Sequence, residues 1–100
     1  MNNLYIALLD GFRNDSVRIT VDGQVVFDKP GVTTNLAISY ADAVNVPIQG
    51  VGATVEVNVS SKNRASKESI DVASEPYLYI NLAEDGTPVF RRSKEKLPYL

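Results

Sequence analysis

A chain of 100 residues is long enough to bury one core without disulfide or metal staples and too short for two, so residues 1–100 are expected to form a single domain. Its 44% apolar and 22% charged residues are ordinary for a globular protein, and a net charge of -2 supplies no broad basic field, which argues against nucleic acid as a partner. The absence of both cysteine and histidine removes disulfides, thiolate nucleophiles, Ser/His/Asp and Cys/His mechanisms and zinc chemistry together; neither an enzyme nor a bound cofactor is expected.

The chain opens MNNLYIALLDGF, in which a short apolar run is followed directly by Asp10 and preceded by no basic residue. Those are not the flanks of a signal peptide, and residues 4–9 read as a first strand. No apolar stretch approaches the roughly 20 residues that cross a bilayer, so no membrane association is expected. If the chain is complete, a cytoplasmic location follows. GFRND then supplies a turn. Residues 16–21 and 24–29 form the clearest unit, because Asp22 and Gly23 can both take positive φ and close a two-residue type I′ hairpin. That turn opposes Val21 to Gln24, Thr20 to Val25, Ile19 to Val26, Arg18 to Phe27 and Val17 to Asp28. Val17, Ile19, Val21 and Val26 then share the apolar face, and Phe27 falls on the other.

Pro30 and Gly31 end the hairpin, and weaker patterning places strands at residues 36–41 and 43–48. The next strand is plain: Val51, Ala53, Val55, Val57 and Val59 alternate with smaller or polar residues, as expected for a strand with one wet face. SSKNRASKES reads as a solvated loop, residues 70–73 as a short returning strand, and residues 75–92 as a last hairpin around Asp85 and Gly86. Pro88 lacks a ladder donor, which assigns the final strand to a sheet edge.

About seven to eight short strands, with no internal repeat and no helical periodicity, predict an all-β fold: an antiparallel β-sandwich, with a small closed barrel as the alternative. In strand rhythm the chain resembles immunoglobulin-like bacterial domains. It has no tryptophan and no Cys…Trp…Cys spacing, so the resemblance implies a sandwich architecture and transfers no functional residue.

Few residues suggest chemistry. Glu56 and Asp71 are the conceivable carboxylate pair for glycoside hydrolysis, with solvated sheet charges as the simpler reading. Asp10, Asp15, Asp28 and Asp42 are scattered singly where aspartate caps its own turn, and no DxDxDG-like cluster announces calcium, so no metal is expected. QGVGA precedes a strand rather than a helix and is not a phosphate cradle. Lys62, Arg64 and Lys67, and the group Arg91, Arg92, Lys94 and Lys96, are interleaved with acids and read as solvated surface. Asn14 and Asn58 begin N-x-S patterns that mean nothing without export.

The strongest functional signal lies in the last hairpin. With a two-residue turn at Asp85 and Gly86, Leu82 opposes Val89, Asn81 opposes Phe90, Ile80 opposes Arg91 and Tyr79 opposes Arg92. Leu78, Ile80, Leu82 and Val89 then face the core, and Tyr77, Tyr79, Phe90 and Arg92 make an outward stripe of the composition enriched at interfaces. The plainer reading is that these aromatics stabilise the ladder or lie under the LPYL tail of residues 97–100. As a binding stripe they imply a non-enzymatic interaction or structural module, engaging a protein partner or a second copy of itself. A carbohydrate or other small ligand bound on the aromatic face is the alternative.

Overall fold

The computed structural model describes residues 2–97 and contains eight strands and one 3₁₀ turn: β1 (Asn2–Leu8), β2 (Asp15–Val21), β3 (Gln24–Val32), β4 (Asp42–Ile48), β5 (Gly52–Val59), the turn Ser60–Lys62, β6 (Arg64–Asp71), β7 (Tyr77–Leu82) and β8 (Pro88–Ser93). They build two four-stranded sheets, ordered β4-β1-β7-β8 and β3-β2-β5-β6. All pairings are antiparallel except β1 with β7, which run parallel with Tyr5 beside Tyr77 and Ala7 beside Tyr79. Among the described residues both sheets end in unpaired edges, at β4, β8, β3 and β6, so the molecule is a sandwich and not the closed barrel. Among the described residues no helix is long and apolar enough to cross a membrane.

The core follows from period-2 alternation. Leu4, Ile6 and Leu8 of β1 join Leu78, Ile80 and Leu82 of β7 on one inner face; Val17, Ile19 and Val21 of β2 join Ala53, Val55, Val57 and Val59 of β5 on the other, all buried in one cluster. Burying each large aliphatic side chain contributes about 1.5–3 kcal/mol, and the two central strands of each sheet carry most of it.

Four expectations about register and extent are corrected, the last of them in the final hairpin. The Asp22-Gly23 turn has the positive φ values of a type I′ hairpin, 50° and 82°, and the pairs Val21–Gln24 and Thr20–Val25 stand as expected. Beyond them a bulge shifts the ladder by one residue, so that Ile19 opposes Phe27 and Arg18 opposes Asp28. The extra residue turns Phe27 into the core and leaves Val25 half exposed. Residues 36–41 are a turn and no strand. Asn35 holds it, its side-chain oxygen accepting the Ala37 N–H and its backbone bridging Tyr40 in both directions, while Ser39 takes a positive φ. Local side-chain capture of the backbone here competes successfully with strand pairing. Conversely, much of the expected loop SSKNRASKES is strand. Only Ser60–Lys62 and left-handed Asn63 (φ 55°) make the turn, after which Arg64 opposes Val59 and the ladder runs to Asp71 opposite Gly52.

The last hairpin carries the correction that matters most. Its loop has three residues, because Asp85 accepts the Thr87 N–H on its side chain and only Gly86 takes a positive φ, of 88°. Leu82 therefore opposes Pro88, Asn81 opposes Val89, Ile80 opposes Phe90, Tyr79 opposes Arg91 and Leu78 opposes Arg92. A one-residue slip exchanges the faces of an entire strand. Pro88 does begin an edge strand, and Pro47 lies in another.

Candidate functional site

The register distributes the expected stripe over two faces. Tyr77 and Tyr79 point outward from the β4-β1-β7-β8 sheet. Phe90 lies on the inner side opposite Ile80, half-buried against the core. Arg92 is also on the inner row, at the open seam between β8 and β6, where its guanidinium pairs with Glu68 (3.5 Å) and donates to the Ser69 carbonyl (3.4 Å). In the same seam the Ser66 hydroxyl donates to the Pro88 carbonyl at 2.8 Å. The four residues therefore form no common surface.

What stands on the outer face instead is a tyrosine-lined slot. Alternation in β1 places Tyr5 and Ala7, and Leu9 just beyond, on the row opposite Leu4, Ile6 and Leu8. Pairing then aligns Ala43, Ala7, Tyr79 and Arg91 in one cross-sheet row and Asn45, Tyr5, Tyr77 and Ser93 in the next. Two small alanines stand beside large rings in these rows. Ala7, Leu9 and Tyr79 are buried there, with Tyr5, Tyr40, Ala43, Tyr77 and Leu97 packed around them. The Tyr5 and Tyr77 rings meet edge to face, 6.0 Å apart at 67°, a favoured aromatic geometry. Burial, followed by the neighbouring Tyr40 and Tyr79 phenols, pushes the Tyr5 phenol up, so it stays neutral through the physiological range.

The slot is occupied by the chain itself. After β8 the Ser93 hydroxyl donates to the Glu95 carbonyl (2.9 Å) and accepts the Glu95 N–H (3.1 Å), which turns the backbone over the sheet. The Tyr79 hydroxyl then donates to the Glu95 carbonyl at 3.2 Å and accepts the Leu97 N–H at 2.9 Å. Leu97 packs into the apolar cluster, and the Lys96 ammonium stands 5.2 Å from the centre of the Tyr5 ring, in range of a cation–π interaction. Of the expected LPYL cover, Leu97 is in place; residues 98–100 lie outside the described residues. Residues 95–97 are thus held by their main chain, by the Lys96 cation and by the Leu97 side chain. Tyr79→Ser is expected to lower stability by about 2 kcal/mol, because it empties a buried site on the outer face of the sheet, where the surroundings can partly collapse. Arg92→Ser should cost under about 1 kcal/mol, since its ion pair is solvated. Thermal melts of the two variants check both values, and the reverse order would restore the expected hairpin register.

The sequence reading did not single out Tyr5, Ala7 and Leu9; the signal that could have found them is the alternation of β1, which leaves them as the row opposite Leu4, Ile6 and Leu8. Tyr40, Ala43 and Leu97 carried no comparable signal, because chain segments distant in sequence bring them together. The turn that delivers Tyr40 also presents Leu36, 85% exposed, and Ile38.

Several charged groups away from this face are held in structural contacts. Asp15 is buried, its carboxylate accepting the Arg13 N–H (2.8 Å), the Ser61 hydroxyl (2.7 Å) and the Lys62 ammonium (2.6 Å). Burial alone would raise its pKa; these hydrogen bonds and the Lys62 charge outweigh burial and hold it below the usual carboxylate value. The group pins the β5–β6 turn to the start of β2. Asp28 pairs with Arg18 and Asp42 with Lys29, and Asp10 is exposed. Among the described residues no three acidic side chains converge on one cation position. Glu56 and Asp71 stand four residues apart along the same ladder, roughly 13 Å at strand spacing. Arg64 pairs with Asp85. No protein-family model matches the sequence, and no curated protein is significantly similar to it.

Proposed function

We propose that the chain is a non-enzymatic interaction module, immunoglobulin-like in its two-sheet architecture though not in its strand order, that engages a polypeptide partner through the outer face of the β4-β1-β7-β8 sheet. The carrying observation is the Tyr79 hydroxyl, bonded at once to the Glu95 carbonyl and the Leu97 N–H, a contact that reads main chain rather than a sugar ring. The other surfaces favour this choice by being poor alternatives. Pairing of a partner strand at an edge is discouraged at every edge: a bulge, Lys29 and Pro30 in β3, Pro47 in β4, Lys67 and Glu68 in β6, and Pro88 and Arg91 in β8. The outer face of β3-β2-β5-β6 carries Arg18, Glu56, Asn58 and Lys67, the charged and polar composition of a solvated sheet. A carbohydrate platform would need flat, open rings. Tyr5 and Tyr77 meet edge to face and Tyr79 is buried.

A displayed random-peptide library selected against the parent and against Tyr5→Ser tests this reading. The parent is expected to enrich peptides that the Tyr5→Ser protein, folded by circular dichroism, no longer retains. Enrichment of no peptide, or saturable heat release with a glycan panel that Tyr5→Ser abolishes, would overturn it.

A further inference from the structure

We infer that the slot is a peptide site closed in cis by residues 95–97, and that the partner it fits is an extended segment in which a basic residue is followed directly by leucine. The inference deepens the reading above and rests on it. Three contacts define the occupant. The Tyr79 hydroxyl spans a carbonyl and the N–H two residues further on, which requires an extended or turning backbone and excludes a helix, whose amide and carbonyl groups are already paired. The residue between them carries its cation to the Tyr5 ring. The residue after it packs an aliphatic side chain against the cluster of Ala7, Leu9 and Tyr79. None of these contacts depends on the segment belonging to the same chain, apart from the Ser93 turn that delivers it.

The cis segment is therefore a competitor. A partner must displace it, and its apparent affinity falls by the fraction of molecules whose slot is open. The segment is short and ends no strand ladder, so its release leaves the sandwich core untouched. Closure also keeps the tyrosine face from exposing apolar surface when no partner is present.

The test uses the full chain and a blocked pentapeptide with the sequence of residues 93–97, Ser-Lys-Glu-Lys-Leu, followed by nuclear magnetic resonance. Leu97→Asp opens the slot; Leu97→Ser does the same should the aspartate variant fail to fold. The peptide is expected to shift Ala7 and Tyr79 resonances saturably in the open variant, at least tenfold more tightly than in the parent. Adding Tyr79→Phe to the open variant, or replacing the peptide's leucine with aspartate, should weaken binding tenfold or more, and replacing its second lysine with glutamate severalfold. A folded open variant that shows no saturable shift overturns the inference, as does equal binding to parent and open variant or indifference to the peptide changes. If this peptide fails while library peptides of other chemistry still bind in a Tyr5-dependent way, the cis-competitor inference alone falls.

Discussion

Ile19→Asp is expected to leave the chain unfolded at room temperature. Ile19 is fully buried on β2, a central strand, opposite Phe27 on one side and Val57 on the other. A carboxylate there has no cation or donor within the apolar cluster, and its burial, added to the lost aliphatic packing, costs as much as the roughly 5–15 kcal/mol that stabilises a domain of this size. Thr20→Asp, one residue on, points to the outer face beside Glu56 and should cost about 1 kcal/mol or less. Circular dichroism melts distinguish them at once. Tolerance of Ile19→Asp with loss of the Thr20→Asp protein would mean that the faces of β2 are exchanged.

The second large effect is expected at Lys62. Lys62→Met removes the cation from a carboxylate that is 1% exposed, and breaking a buried pair in this way costs about 3–5 kcal/mol. The lower end applies, near 3 kcal/mol, because Lys62 is itself 35% exposed and Arg13 and Ser61 continue to donate to Asp15. The pH dependence carries a definite sign. Asp15 titrates lower in the folded protein than in the unfolded chain, so its contribution is present in full above the ordinary carboxylate value of 3.8 and is lost as pH falls through its lowered folded value. The difference between parent and Lys62→Met should therefore be largest near neutrality and shrink below about pH 4. Urea titrations at the two pH values measure it. A difference independent of pH would place the role of Lys62 in packing alone.

How far the sequence could be read depended on whether local chemistry or distant contacts decided each element. Alternation sufficed for the inner rows of β2, β5 and β7, which supply much of the core, and for the sandwich as a whole. It failed where one residue was added or withheld. The two Asp-Gly pairs illustrate this. Asp22 and Gly23 both take positive φ and make a two-residue turn, whereas at Asp85 and Gly86 only the glycine does. In the second loop Asp85 is engaged with Thr87 and Gly86 packs against Lys62, where an added Cβ would stand 2.6 Å from the Lys62 Cβ. The dipeptide is common to both; the partner across space is not. The same limit governs the candidate site. Two of the four stripe residues, Tyr77 and Tyr79, do line the outer face, but Phe90 and Arg92 follow the slipped register inward, and Tyr40 and Leu97 join the slot through loops that alternation does not describe.

The bulge after Thr20 has the same character. Val25, Val26 and Phe27 are all good strand residues, and nothing local says which of the three is doubled against β2. The deciding term is packing: an aromatic ring turned into the core beside Ile19 buries more area than a valine.

Central to the account is the seating of residues 95–97 on the tyrosine slot, clipped by the Tyr79 hydroxyl. Amide hydrogen exchange at Leu97 tests it most directly, because that N–H lies beyond the last strand and its acceptor is a side chain. In the parent it should exchange at least tenfold more slowly than in an unstructured peptide of the same sequence; in Tyr79→Phe it should return to the free rate while the Ile80 amide, held within β7, stays protected. Exchange of the Leu97 amide at the free-peptide rate in the parent would contradict the account.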